Sequence, residues 1–314
     1  MAAMYNNEKE KLIVLLGPTA SGKTGLAVEL ARRLDTEIIS GDSQLVYRGF
    51  DVGAAKPDIK ERGGIRHHLI DILPPEAGFN VTDFVGMAKP LISELNSQGK
   101  IPILAGGTGL YIKSLIEGYQ FNKTAGDDSY RQKLEQLGAE KGKQYVHDML
   151  REVNPEAADR IHVNNFRRVV RALEVYHIGG EQISDSHEVE LVYDVYVAGL
   201  CWRREELYDR INRRVDTMVE QGLTDEVRDL LNQGLSPDSQ SMRGIGYKEM
   251  LGYVTGSRSL EDTVDLIKRN TRHFAKRQLT WYRKMPYIHW FHPYLYRGNG
   301  LADNVVWNIG RFFQ

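Results

Sequence analysis

Between Gly17 and Thr24 the chain reads GPTASGKT, which fits the pattern G-x-x-x-x-G-K-[ST]. Each residue type has a use. Gly17 and Gly22 let the backbone turn its amides inward, so that Pro18, Thr19, Ala20 and Ser21 form a cradle around phosphate oxygens. Lys23 adds a point charge, and the hydroxyl of Thr24 can ligate magnesium. An ordinary glycine-rich turn could carry the same letters, but the context argues otherwise. The apolar run KLIVLL (11–16) ends at Gly17, and a helical pattern with Leu26, Leu30 and Leu34 opens near Gly22. A helix N-terminus beyond the loop supplies further unpaired donors to an anion.

A second chemical candidate is Asp42, which follows the run TEIIS through Gly41. At the C-terminal end of a parallel strand it shares a rim with Lys23 and Thr24, where it could hold a magnesium water or act as a general base. GDS is equally a good turn sequence, with Asp42 bonded to its own backbone. The run DSQLVYRGFDVGAAKP (42–57) has little apolar periodicity and reads as a substrate-contacting loop. The phosphate loop alone does not select the ligand, since kinases, ATPases and GTPases share it. A nucleotide hydrolase usually ends an apolar strand in Asp. Here the run IPILAGG ends in Gly106, Gly107 and Thr108, which weakens the ATPase reading.

These residues need a scaffold. Short apolar runs at 11–16, 36–40, 68–73 (HLIDIL), 101–107, 192–202 and 287–291 alternate with helical patterns at 22–34, 81–98 and after Thr108. That alternation predicts an α/β fold: a P-loop NTPase-like parallel sheet with helices on both faces. After Gly118 the pattern changes. Residues 121–162 contain no strand-like run and read as an inserted helical subdomain. The core then comprises 10–120 and 163–314. A basic helix is expected at 165–177, residues 203–284 read as almost all helix, and a last helix lies near 300–313.

The full sequence has 314 residues, 41% apolar and 26% charged, with a formal net charge of −1. That charge gives no global pull toward nucleic acid, so any such binding must come from local patches. One cysteine, Cys201, precludes an internal disulfide framework or a cysteine zinc site, as expected for a reducing compartment. The polar start MAAMYNNEKEK and the lack of a long apolar run predict a cytoplasmic chain with no membrane association. The local patches exist. Lys268 to Lys284 contains no Asp or Glu. At about 100° per residue, Arg269, Arg272, Lys276 and Arg283 share one stripe, with Val264, Ile267, Phe274, Trp281 and Met285 opposite. Arg167, Arg168 and Arg171 form a second cluster. Cations in such rows can meet RNA phosphates, although a solvated basic face looks the same in sequence. Aromatics near 281–290 read as core, and His67 and His68 as hydrogen-bonding residues.

Taken in order, GPTASGKT, DSQLVYRGFDVGAAKPD, HHLID (67–71), GGTGLY (106–111), RRVVRALEV (167–175), GIGYKE (244–249) and TRHFAKRQLTWYRK (271–284) resemble the tRNA dimethylallyltransferase (tRNA isopentenyltransferase) family over nearly the whole chain. One departure is Ala54 in GAAKP, where relatives commonly carry Thr. Eukaryotic relatives carry a C-terminal zinc finger, so the bacterial type is expected.

The resemblance implies transfer of a dimethylallyl group from dimethylallyl diphosphate to the exocyclic amine of adenosine 37, beside the tRNA anticodon. It implies that Lys23 and the loop amides hold the diphosphate, and that Thr24 places Mg2+. Asp42 would take the amine proton, Thr108 support the site and Arg214 neutralise the leaving group. Asp42, Ser43, Gln44 and Leu45 would lie against anticodon nucleotides, with Arg167, Arg168, Arg171, Arg272, Lys276 and Arg283 along the tRNA and the 121–162 insertion contacting it. A monomer is expected. A small-molecule kinase using ATP, prenyl transfer to free adenine nucleotides, and an RNA-binding module with a switch-like P-loop are the competing readings.

Overall fold

A computed structural model describes residues 9–119, 127–179 and 190–314. The residues 1–8 and 121–126, on which part of the N-terminal and insertion readings fell, lie outside the described set. The chain forms two compact units, one of residues 1–119 and 191–314 and the other Gln120–Glu190.

In the first unit the chain runs through β1 (Lys11–Leu16), α1 (Lys23–Arg33), β2 (Ile38–Ser40), α2 (Ile59–Arg62), β3 (His67–His68), α3 (Val81–Ser97), β4 (Ile103–Gly106) and α4 (Gly109–Ile116). The second unit holds α5 (Asp128–Lys141), α6 (Lys143–Val153), α7 (Pro155–Arg160) and α8 (Phe166–Gly179). The first unit resumes with β5 (Asp194–Leu200), α9 (Arg204–Glu220), α10 (Leu223–Asn232), α11 (Tyr247–Val254), α12 (Leu260–Tyr282), β6 (Ile288–Phe291) and α13 (Gly300–Phe312).

The six strands form one parallel sheet in the order β3-β2-β4-β1-β5-β6. The expected α/β fold is therefore present. Five of the six residues of KLIVLL are buried, as a central parallel strand covered on both faces requires. Under one face α1 and α13 pack Leu26, Leu30, Val305 and Ile309 against Ile13, Leu15 and Tyr196. Leu16 pairs with Gly106 of β4 and Gly199 of β5. The loops after β1, β2 and β4 therefore emerge along one sheet edge, where the chain's course reverses and a ligand crevice forms. Gly106 allows the closest approach there: a methyl group on it would lie 2.3 Å from the Gly41 carbonyl oxygen.

Two sequence expectations need correction. The run 68–73 does not continue as a strand beyond His68. Leu69 and Asp71 take positive φ values of 61° and 58°. Asp71 instead donates its N–H to Leu45 O, and its carboxylate pairs with Lys56. The second correction is the insertion's end. The second unit continues past residue 162 to Glu190, because Val169, Val170, Ala172 and Leu173 of α8 bury against Leu134, Val146 and Leu150. The basic helix thus belongs to the helical unit. Cys201 is only partly buried.

Candidate active site

The loop GPTASGKT wraps the end of β1. Gly22 sits at φ 87° and leads into α1, which has no side-chain cap. By contrast α3 is capped by Asn80, whose side chain accepts from Thr82 and Asp83 N–H. The first-turn donors of α1 are thus left for an anion. Ala20 also takes a left-handed conformation, φ 61°. That costs roughly 1 kcal/mol or more, and neighbours must hold it. Arg210 Nε donates to Ala20 O at 2.8 Å, and Trp202 Nε1 donates to Ser21 O at 2.9 Å. The Arg210 guanidinium lies 4.4 Å from the Trp202 ring centroid.

A second fastening comes from α12. Gln278 accepts from Thr19 N–H at 3.0 Å and donates to Gly107 O at 2.8 Å. Tyr282 O–H also donates to Gly107 O at 2.8 Å. These two side chains bind the phosphate loop to the β4 loop. Neither was identified from sequence. The available signal was polar Gln278 on the same helical face as Ala275 and Tyr282, all three buried.

Asp42 makes the turn its sequence allowed and leaves one carboxylate oxygen for the cluster. Its Oδ1 accepts from Gln44 N–H at 2.9 Å, which is the turn. Its Oδ2 faces inward: a methyl on Gly107 would lie 3.8 Å from both Asp42 Oδ2 and Lys23 Nζ. Thr108 fixes the turn, accepting from Ser43 N–H at 3.2 Å. Arg214 completes the cluster from α9. Burial pushes Lys23 down to about 8, with Asp42 opposing that shift and Arg214 adding to it. Burial likewise lowers the Arg214 pKa, again opposed by Asp42.

Two cavities meet at this cluster. One, about 630 Å³, is lined by Ser21, Gly22, Lys23, Asp51, Arg210 and Arg214. The other, about 410 Å³, is lined by Asp42, Gln44, Thr108, Arg214, Phe274 and Gln278, among others. Lys23, Thr24 and Arg214 line both. The arrangement can hold a charged diphosphate at the shared wall and present a carboxylate to a group entering the second cavity. Gln44 Oε1 is buried there without a partner.

A family model described as IPP transferase matches residues 45–285. A tRNA dimethylallyltransferase of Bacillus cereus is 51% identical over 287 residues, 90% of each chain. One from Bacillus anthracis is 50% identical over 90% of this chain and 91% of its own. The chain belongs to the IPP transferase family. Solved structures agree. A full-length tRNA isopentenylpyrophosphate transferase from Bacillus halodurans superposes with a TM-score of 0.75 at 44% identity, covering 97% of each chain. A eukaryotic dimethylallyltransferase described as acting on tRNA gives 0.83 at 28% identity, over 97% of this chain and 79% of its own.

Of the cations that the IPP transferase motifs suggested for RNA, the structure separates two kinds. Arg167, Arg168, Arg269, Lys276 and Arg283 are exposed. Arg171 is held at 2.5 Å by the buried Glu174, which also pairs with Arg131. Arg272 donates to Asn212 Oδ1 at 2.7 Å and lies over the Tyr208 ring. These two charges are committed inside their own units.

The expected apolar stripe of α12 is rotated as well. Ile267 and Met285 are buried, but Trp281 is 40% exposed and Phe274 lines the smaller cavity. The buried line runs instead through Thr263, Ile267, Ala275, Gln278 and Tyr282. The bonds of Gln278 and Tyr282 to the two loops set that rotation. His67 and His68 do hydrogen-bond, to Ile65 O at 2.9 Å and Glu37 at 2.7 Å. Arg243, Lys248 and Arg277, which line the smaller cavity, were not picked out from sequence.

Proposed function

We infer that this chain transfers a dimethylallyl group from dimethylallyl diphosphate to the exocyclic amine of adenosine 37 in tRNA, releasing diphosphate. The observation that carries the reading is the meeting of the two cavities at Lys23, Thr24 and Arg214, with Asp42 facing the same point. In the reaction the bond from the allylic carbon to the diphosphate oxygen breaks, and its electron pair leaves with the diphosphate. A bond forms from that carbon to the amine nitrogen, and the amine proton passes to Asp42. Charge builds on the leaving diphosphate, so cations and amides aimed there lower the barrier. The adenine amine is a weak nucleophile because its lone pair is delocalised, and proton removal by a positioned carboxylate contributes roughly 10²–10⁴-fold.

The donor set suits magnesium. Thr24 offers a hydroxyl and Asp42 a carboxylate, both hard oxygen ligands. No cluster of three or more His, Cys, Asp or Glu that could hold a metal occurs among the described residues. The ion would therefore arrive largely on the diphosphate, with Thr24 directly and Asp42 through water, and would supply charge neutralisation there. The unpartnered Gln44 carbonyl oxygen supports a role for the 42–45 loop in holding the target base. A base stacked in an anticodon loop cannot reach the cluster, so it must be turned out of the stack, at a cost of a few kcal/mol. Exposed Arg167, Arg168, Lys276 and Arg283 are the phosphate contacts that offset this.

No helix among the described residues is long and apolar enough to cross a membrane. The reading places the chain in cytoplasmic tRNA processing, acting as a monomer.

The test is incubation with magnesium and labelled dimethylallyl diphosphate, with tRNA, AMP or ATP as acceptor. Label in tRNA alone, mapped to adenosine 37, is the expected result. Label in AMP or ATP selects prenylation of free nucleotides. Phosphate transfer from ATP with no prenylation selects a kinase.

A further inference from the structure

The segment Asp51–Pro57 lines both cavities. Asp51, Val52, Ala55, Lys56 and Pro57 face the larger one, and Gly53, Ala54, Ala55 and Pro57 the smaller. It has no strand or helix of its own; two internal turn bonds, Ala55 N–H to Val52 O and Lys56 N–H to Asp51 O, both at 2.9 Å, leave the amides of 51–54 to be held by neighbours. Three successive amides converge on one carboxylate. Asp51 and Val52 N–H donate to Glu226 Oε2 at 2.9 and 2.7 Å, and Gly53 N–H donates to Oε1 at 3.0 Å. The fourth amide, Ala54 N–H, donates to the Tyr247 hydroxyl at 3.0 Å. That hydroxyl in turn donates to Glu226 Oε1 at 2.6 Å.

We propose that Glu226 of α10 and Tyr247 of α11 are positioning residues for prenyl transfer, clamping segment 51–54 as the wall between the two cavities. Four consecutive amides turned to one side form a nest that would otherwise bind a free anion. Here an internal carboxylate fills it. Charge-assisted bonds of this kind are about twice as strong as neutral ones. The Tyr247 ring is fully buried, lies 4.6 Å from the Phe50 ring, and leaves no room for a side chain at Gly53, where a methyl would come within 2.5 Å. Burial and the adjacent Glu226 carboxylate keep the phenol protonated, so its hydroxyl stays a donor. The far end of the segment is tied separately, by Lys56 to Tyr47 O at 2.9 Å and to Asp51 and Asp71. Neither Glu226 nor Tyr247 lines either cavity itself, so they act through the wall, and a loosened wall lets the donor shift against Lys23 and Arg214.

This proposal rests on the prenyl-transfer reading, but two of its measurements do not. Glu226→Gln replaces one acceptor with an NH2 group that opposes the amide donors. Tyr247→Phe keeps the ring and removes only the hydroxyl. Hydrogen exchange at residues 51–54, affinity for inorganic pyrophosphate, and KM and kcat with dimethylallyl diphosphate and tRNA are compared with the parent.

In Glu226→Gln we expect exchange at 51–54 faster by about ten-fold or more, and elsewhere unchanged. Pyrophosphate affinity and donor KM should worsen about ten-fold, with tRNA KM within about two-fold. Tyr247→Phe should show the same pattern at smaller size, centred on Ala54. Parent-like exchange and parent-like donor KM in either folded variant overturn the proposal. So does a fall in kcat with both KM values unchanged, since that is the signature of a reduced folded fraction. If the parent protein does not prenylate tRNA, the functional reading fails, and the exchange and pyrophosphate measurements still decide the clamp.

Discussion

Lys23 and Arg214 at the sheet edge carry the same charge as Lys276 and Arg283 on α12 and at its end, under opposite conditions. The first pair sits where two cavities meet, close to each other and to one carboxylate. Burial and the neighbouring Arg214 work against the Lys23 ammonium. The second pair is exposed to water. A buried cation destabilises the ligand-free protein and gains a strong partner when an anion arrives. An exposed cation costs little, and each one contributes little. The comparison therefore separates chemistry from grip: the pocket should govern turnover, and the stripe should govern how tightly and how salt-dependently RNA is held.

The largest effect tests whether the pocket's carboxylate does chemistry or only shapes the turn. Asp42→Asn keeps an oxygen acceptor for Gln44 N–H and cannot take a proton. We expect kcat to fall roughly 10²–10⁴-fold, with donor and tRNA affinities near the parent's. Single-turnover rates with saturating substrates check this. Parent-like turnover would reduce Asp42 to its turn role.

Next in size is Lys23→Met, which should move two quantities in opposite directions. Diphosphate binding and turnover should fall by about 10²-fold or more, because the leaving group loses a cation. The ligand-free protein should become more stable. The ordinary lysine value is 10.5 and the folded value is about 8. A lowered lysine pKa means that folding disfavours the charged form. The penalty is fully present below pH 8 and is relieved as pH rises from 8 toward 10.5. Because Lys23 is partly open to the cavities, the penalty is of the order of 1–3 kcal/mol. Thermal unfolding at neutral pH should thus shift upward in the variant, and the gap should close at high pH. The same pKa makes donor affinity pH-dependent: constant while Lys23 is protonated, then falling as pH rises through about 8. Calorimetric titration with inorganic pyrophosphate across that range is the check. A flat profile would place another cation in charge of the diphosphate.

The two regions also differed in how legible they were. The phosphate loop and its strand could be read directly, because KLIVLL is buried almost end to end, Gly22 takes a positive φ, and a methyl group on Gly17 would lie 2.5 Å from Ser21 Oγ. Strand 68–73 was over-read, since its apolar letters serve a bend held by Asp71 pairing with Lys56. The face of α12 was misread by apolar periodicity. Polar Gln278 and Tyr282 turn inward to bond the two loops, leaving Trp281 outside. Long-range polar pairings of that kind leave no local period. Arg171 and Arg272 looked identical to their neighbours in sequence, and only the buried Glu174 and the half-buried Asn212 show that each already holds a partner.

That last distinction sets the smallest prediction. Lys276→Glu with Arg283→Glu removes two exposed cations that form no side-chain hydrogen bond or ion pair among the described residues. If both meet phosphates, two counterion-releasing contacts are lost. The slope of log K against log salt should flatten by about 1–2, and tRNA affinity at low salt should drop by about ten-fold or more. Pyrophosphate affinity should stay at the parent value, because Lys23 and Arg214 stand on other elements. Arg272→Glu should behave differently. It severs the bond to Asn212 on α9, the helix that also carries Arg214, so thermal stability should fall and pyrophosphate affinity with it. Filter binding of tRNA across a salt series, run beside pyrophosphate titration and thermal unfolding for all three proteins, separates the cases. An unaltered salt slope in the double variant would show its cations to be a solvated face. A stable Arg272→Glu with reduced tRNA affinity alone would return Arg272 to the RNA surface.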